Sequence, residues 1–488
     1  MRPVRWRGAA AMLAAGLALG ATATGCAGAP DGPRWARQTA LDSTLPHAVE
    51  PASVAGLETA TRSESDAWRR LFTAYPIVPG AGPLTDRLDQ AVDDLADRYE
   101  REAIRGKYEP GTLVPELNVQ WTLTAASGDV VGVRLVSWKS QGAEAGETRR
   151  TFWYDGRAGR AVGSDALVNG ENGLKRLAQL VRARIEAKAD PERVTAVPAT
   201  FASMAFNADG DLVVEFNDHS VAPTAPGRVA VALAPSEFEP LLSDLGRRAR
   251  AASLTPRPQL TLATDVPMPT RTKRARPSSA RVNCDVAKCV ALTFDDGPGP
   301  DTPRLLDELD RAHARATFFV VGANASAHPG LVRRMADAGH EVGGHTRSHR
   351  DLTRLAPIQV HAEVQQTQDV VRRLTGRAPV LLRPPYGASN GVVTDVARSL
   401  GLVQALWNVD TLDWRDRDAS IIADRAVDRA RPGGVILMHD TYGTSVDAVP
   451  GIVARLKGEG YTLVTVSDLL AARHAHARIR PGGRFSGW

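Results

Sequence analysis

Between residues 290 and 464 the chain repeats one pattern, a short apolar run followed by a stretch with helical spacing. The runs are Val290–Phe294, Ala316–Val321, Val380–Leu382, Leu402–Trp407, Val435–Met438 and Tyr461–Val464. Segments such as Leu331–Ala336 and Ile421–Ala426 lie between them. Runs this short, separated by helical patterns, predict buried strands with helical crossovers. The expected class is α/β, with a distorted parallel (β/α) barrel over residues 282–475.

The chain has 488 residues, too many for one ordinary core. A preceding α+β domain is expected at 60–252. Leu84, Leu88, Val92 and Leu95 recur at helical spacing, as do Leu174, Leu177, Val181 and Ile185. Strands are expected at Leu117–Leu123, Val130–Val136, Thr151–Tyr154, Thr200–Met204, Asp211–Phe216 and Val229–Leu233. Residues 26–59, rich in small residues and proline, read as a tether. Residues 253–281, basic and proline-rich, read as an interdomain linker, and 476–488 as a loose tail.

Residues 1–25 carry Arg2, Arg5 and Arg7 ahead of a short Ala/Leu-rich run, the pattern of a secretory signal. The run ends Ala23-Thr24-Gly25-Cys26, close to the site at which a cysteine is acylated, although Ala23 stands where Leu is usual. The preferred reading is lipidation of Cys26 and residence on the extracellular face of the membrane. Ordinary cleavage and secretion is the alternative. Without residues 1–25, 57 basic residues stand against 55 acidic, and that near-neutrality argues against a nucleic-acid partner. Export also makes Cys284 and Cys289, with four residues between them, a candidate disulfide; a metal site would need more ligands nearby.

The polar residues of the barrel region fall at the ends of its apolar runs. Asp295 and Asp296 end the first, and His345 follows Gly339–Gly344. Arg383 ends the run from Val380, Asp410 and Asp413 follow Trp407, and His439 ends the run from Val435. In a β/α barrel the carboxyl ends of the strands form the active-site face. Any one of these placements is commonly a turn; five on one edge point to a site. His345 and His349 are spaced i, i+4, which on a helical turn puts both imidazoles on one side, near enough to share a cation. Asp296 is the best third ligand. Two imidazoles and a carboxylate leave a position open for water, as catalytic zinc sites do.

Five motifs carry a family resemblance: Thr293-Phe-Asp-Asp-Gly297, His345-Thr-Arg-Ser-His349, Arg383-Pro-Pro-Tyr-Gly387, Asp410-Thr-Leu-Asp-Trp414 and Leu437-Met-His439. In this order they resemble the polysaccharide deacetylases, the NodB-homology proteins or family four carbohydrate esterases. The resemblance covers about 190 residues. It implies one divalent metal, zinc first and cobalt as the alternative, on Asp296, His345 and His349. Asp295 is then the general base, oriented by Arg383, and His439 the general acid, oriented by Asp413. The Tyr386 backbone N–H serves the oxyanion, while Trp414 and Leu437 line the acetyl pocket. Phe206–Phe216, Val221–Gly227 and Pro235–Phe238 resemble the end of a domain shared by some extracytoplasmic anti-sigma factors and cell-wall deacetylases.

Together these features give an expected function: hydrolysis of N-acetyl groups on an extracellular polysaccharide, peptidoglycan first. Chitin or chitooligosaccharide deacetylation and acetylxylan-type O-acetyl esterase activity stand as alternatives with the same site chemistry. A lysozyme- or wall-binding receptor lipoprotein is the non-enzymatic alternative. The first domain would bind wall polymer or a protein ligand.

Overall fold

Leu84, Leu88 and Val92 form the buried stripe of the helix Gly82–Arg105, which packs on Leu117, Val119 and Val133 of a sheet. The sheet has six strands in sequential order: β1 Glu58–Ser65, β2 Arg70–Ile77, β3 Glu116–Ser127, β4 Val130–Gln141, β5 Glu144–Asp155 and β6 Arg160–Gly163. All neighbours run antiparallel except β2 and β3. A parallel pair needs a crossover, and the helix supplies it. A second sheet, β7 Ser203–Phe206, β8 Leu212–Phe216 and β9 Val229–Leu233, is antiparallel. It packs with the helices Gly170–Arg182 and Asp244–Ser253 around Phe201, Phe206 and Phe238.

The computed structural model describes residues 43–105, 114–141, 144–185, 189–222, 228–255, 259–262, 282–473 and 481–487. The segment 1–25, Cys26 and most of 253–281 lie outside the described residues. The described residues, from Ser43 onward, belong to one compact unit. Both boundaries of the first domain differ from the sequence reading. Val49, Val54 and Leu57, assigned to the tether, are buried in the core of the first sheet, and the Val49 N–H donates to Leu123 O at 2.8 Å. Leu260 and Leu262, assigned to the linker, pack on the same core. These apolar residues are too irregularly spaced to announce an element.

The C-terminal sheet is parallel throughout. Its strands are β10 Cys289–Asp295, β11 Thr317–Val320, β12 Glu341–Gly344, β13 Leu381–Leu382, β14 Val403–Ala405, β15 Val409–Asp410, β16 Gly434–His439, β17 Thr462–Leu463 and β18 Arg484–Phe485. The order is β15-β16-β10-β11-β12-β13-β14-β18, with β17 beside the start of β10. The stretch Val403–Asp410 pairs with β13 through its first half and with β16 through its second, so the sheet curls round on itself. This is the distorted barrel of the α/β class. The segment read as a loose tail contributes β18, with Phe485 buried and Gly487 bridged to Gly434. A two-residue strand leaves no periodicity for sequence to show. Cys284 and Cys289, the first residue of β10, are joined by a disulfide.

His340 leads into β12 and is buried; its Nδ1 accepts from the Ala316 N–H at 3.2 Å. Burial pushes its imidazole down to about 4. The unfolded chain therefore binds a proton near pH 6.5 that the folded chain refuses until about pH 4. Stability present above 6.5 should be lost as the pH falls between these values, by an amount on the order of 3 kcal/mol for this group alone. Urea unfolding at pH 7.0, 5.5 and 4.5 should show that slope, and His340→Asn should flatten it. An equal slope in the variant would exclude His340 as a contributor.

Candidate active site

Six parallel register pairs along β10 and β16 bring Asp295 level with His439. Asp296 follows with φ 75°, a conformation uncommon outside glycine, and is fully buried. A Cβ on the next residue, Gly297, would come within 2.1 Å of Asp440 Oδ1, so space alone demands glycine there. The Asn324 side-chain amide donates to the Asp296 carbonyl at 2.7 Å and fixes the bend.

Asp296, His345 and His349 converge, their ligand-capable atoms all within 4.8 Å of one another. Asp296 Oδ1 lies 3.4 Å from His345 Nε2 and 3.1 Å from His349 Nε2. These approaches lack hydrogen-bond alignment, and neither Asp296 oxygen has a hydrogen-bond partner among the described residues. Buried carboxylate oxygens are rarely left so, and a shared cation would account for them. His345 Nδ1 donates to Arg383 O at 2.6 Å, which turns the lone pair of Nε2 toward Asp296. Burial raises the Asp296 carboxyl, while positive charge on the facing His349 and His345 imidazoles, or on a cation between them, would hold the group well below the usual carboxylate range. Burial pushes the His349 imidazole down, toward the neutral form that binds metals. The donor set fits a divalent cation with room for water.

The two histidines do not lie on a helical turn. Residues 345–350 form a loop after β12, with Thr346 at φ 65° and His349 at φ 55°. The i, i+4 spacing finds the pair, but left-handed backbone rather than helix brings the rings together.

Asp295 Oδ1 accepts from Arg383 Nη1 at 2.7 Å. The Arg383 guanidinium is fully buried and also donates to Thr293 Oγ1, Ala405 O and Leu406 O. Opposite them, His439 Nδ1 donates to Asp413 Oδ1 at 2.8 Å. Asp413 Oδ2 accepts from the His439 N–H and from Ser445 Oγ. Burial alone would push the His439 imidazole down. The Asp413 carboxylate and its hydrogen bond, followed by the charges of Asp296 and Asp295, hold it up at about 10. Tyr386 sits at φ 61° in the turn after Arg383, with its ring against His349.

A cavity of about 660 Å³ opens onto these groups. Asp295, His345, His349, Tyr386, His439, Trp414 and Leu437 all reach its wall. The opposite wall belongs to the first domain: the β1–β2 hairpin presents Ser63–Ala67 and Arg69. Asp66 Oδ1 accepts from the Trp68 and Arg69 N–H groups and shapes its turn. The Tyr442 hydroxyl, beside His439, pairs with the Ser63 backbone. The sequence reading missed this wall, and also Thr293, Asn324 and Ser445. Thr293 lay inside a quoted motif and could have been found, since a hydroxyl two residues before a buried Asp shares its face of the strand. Nothing in residues 63–69 announces a second wall.

A curled parallel sheet carries at its carboxyl edge two histidines and an aspartate that could hold a metal ion, flanked by Arg–Asp and His–Asp pairs. The family model described as polysaccharide deacetylase matches residues 283–405. The peptidoglycan-N-acetylmuramic acid deacetylase PdaC of Bacillus subtilis is 43% identical over 183 residues, 37% of this chain and 38% of that protein. A Bacillus cereus peptidoglycan-N-acetylglucosamine deacetylase is 39% identical over 187 residues, 37% of this chain and 67% of that one. A chitooligosaccharide deacetylase of Bradyrhizobium sp. is 40% identical over 157 residues, 32% of this chain and 72% of that one. The chain belongs to the polysaccharide deacetylase family. It spans about two fifths of the length of the Bacillus subtilis relative.

Asp296→Ala, His345→Ala and His349→Ala should each lose tight zinc binding, since each removes one of three protein donors. Asp295→Asn should keep the metal. Elemental analysis after dialysis distinguishes them; a zinc-replete His345→Ala protein would mean that the ligand set is misassigned.

Proposed function

We propose that the protein removes N-acetyl groups from the amino sugars of peptidoglycan, from the outer face of the membrane, where acylated Cys26 anchors it. The supporting observation is that two of the three cation ligands (His345 and His349), an arginine-held carboxylate and a carboxylate-held imidazole line one cavity, with the third ligand, Asp296, buried directly behind them. Amide hydrolysis calls for activation of the carbonyl, a base for the water and an acid for the departing amine, and these groups can supply all three. A divalent cation on Asp296, His345 and His349, zinc first and cobalt as the alternative, supplies the Lewis acid that polarises the acetyl carbonyl.

The remaining work falls to the chain. Asp295, kept in place by Arg383, accepts the proton of the attacking water. The Tyr386 backbone N–H donates to the developing oxyanion. His439 gives its proton to the departing amine, so that the products are acetate and a free amino sugar. Asp413 orients that imidazole and keeps it charged. Trp414 and Leu437 bound the acetyl end of the cavity. The peptidoglycan assignment draws on the substrates named for the relatives and on the lipidation motif ahead of the first domain.

Purified cell wall digested with the full chain should gain masses lacking one acetyl group per modified disaccharide. Acetate release from chitooligosaccharides and acetylated xylan, measured in parallel, ranks the substrates. Faster release from either than from cell wall would replace peptidoglycan as the substrate; release from none would sink the enzyme reading.

Asp295→Asn and His439→Ala should retain zinc and lose activity by roughly 10²–10⁴-fold each. His439 must be protonated to act, so activity should fall as the pH rises through its raised pKa. Asp413→Asn should move that limb to lower pH, because the imidazole loses its anion. A limb unmoved by Asp413→Asn would remove His439 from the acid role.

The anchor has its own test. Cys26→Ser should move the protein from the membrane fraction to the medium. Unchanged partitioning would reject lipidation.

A further inference from the structure

The loop from His345 to Asp351 carries two of the three proposed cation ligands in backbone that non-glycine residues adopt at a cost, at Thr346 and His349. Such a conformation persists only where its surroundings hold it. The catalytic region supplies part of the hold: the His345 N–H donates to Val320 O, and Glu363 accepts from the Ser348 N–H and hydroxyl.

The rest comes from the first domain. β2 and β3 pair in a register that sets Phe72 opposite Asn118 and Arg70 opposite Glu116, and all four side chains meet this loop. Asn118 Nδ2 donates to Ser348 O at 2.8 Å and to His349 O at 3.3 Å. Glu116 Oε1 accepts from the Asp351 N–H at 3.0 Å, and Arg70 pairs with the Asp351 carboxylate. Gln120 Nε2 donates to Ser348 O at 2.9 Å. Phe72, Asn118 and Glu116 are all buried.

The ring of His349 makes the dependence specific. Metal-bound histidines are usually oriented by a hydrogen bond through the other ring nitrogen. His345 has that bond, to Arg383 O. His349 Nδ1 has no hydrogen-bond partner among the described residues. Its ring is held by stacking instead: Phe72 lies face to face with it, centroids 4.4 Å apart and planes 17° from parallel, and Tyr386 meets it edge-on at 4.8 Å.

We infer that the first domain is a working part of the cation site, with Phe72 and Asn118 as positioning residues that fix His349 and so set the affinity for the metal. The inference rests on the cation reading above but not on the deacetylase activity. It is tested on the full chain by zinc competition against a chromophoric chelator. Phe72→Leu and Asn118→Ala should each weaken zinc binding about 10–100-fold, the range for residues that orient a ligand. Phe206→Leu, in the other core of the same domain, serves as the control for general destabilisation and should leave zinc affinity as it was. Circular dichroism of each metal-free protein establishes that it is folded. If Phe72→Leu fails to fold, Asn118→Ala decides. Unchanged affinity in the folded variants, an equal loss in Phe206→Leu, or no zinc binding by the parent protein would overturn the inference. Zinc binding with this dependence but no acetate release would keep the inference and remove only the enzymatic reading.

Discussion

Three carboxylates, Asp295, Asp296 and Asp413, are withdrawn almost wholly from water within one cluster. An isolated charge in that setting is costly unless paired and hydrogen-bonded. The neighbourhood is organised around meeting that requirement. Arg383 answers Asp295 and His439 answers Asp413. Asp296 is answered by two imidazoles and, in the proposed chemistry, by a cation. Asp440, one residue beyond His439, provides the contrast. It is equally buried, its main help is the Thr302 hydroxyl, and burial pushes it up to about 7. The charges that persist are those with a cationic or polarisable neighbour.

These pairings explain why the sheet must curl. Arg383 leaves the end of β13 and bonds Thr293 and Asp295 on β10 as well as the carbonyls of Ala405 and Leu406 at the end of β14. One guanidinium spans three strands, which an open flat sheet would hold too far apart. Arginine suits the position because its donors are spread in a fixed fork, whereas the three donors of a lysine radiate from a single nitrogen that could not reach partners on three strands.

The barrel was legible where its strands are short apolar runs, as in β10, β11 and β16, and the site where such a run ends in a functional residue; β12, with Glu341-Val-Gly-Gly344, and the two-residue β18 carry no such run. Asp295, Asp296, Arg383 and His439 were legible for that reason, and the His345–His349 pair by its spacing. The conformation of the His345–His349 segment was not, since spacing alone suits a helix and the left-handed residues, Thr346 and His349, are not glycines. In β1 the buried positions are Thr59 and Ser63, beside half-buried Arg62 and Glu64, so the strand shows no apolar alternation in sequence. Phe72 looks like any core phenylalanine; its stacking on His349 is a long-range fact that no local pattern encodes.

The register of β2 against β3 also bears on how such a chain can evolve. Where a catalytic region stands alone, recombination can join it to new neighbours and leave its chemistry intact. Here Phe72, Asn118 and Glu116 are complementary to a loop more than two hundred residues further along. A breakpoint between residues 263 and 281 would join whole genes' worth of sequence cleanly and still separate His349 from the surface that orients it. The two regions are therefore expected to pass together through descent, with substitutions in the 345–351 loop matched by substitutions on β2 and β3.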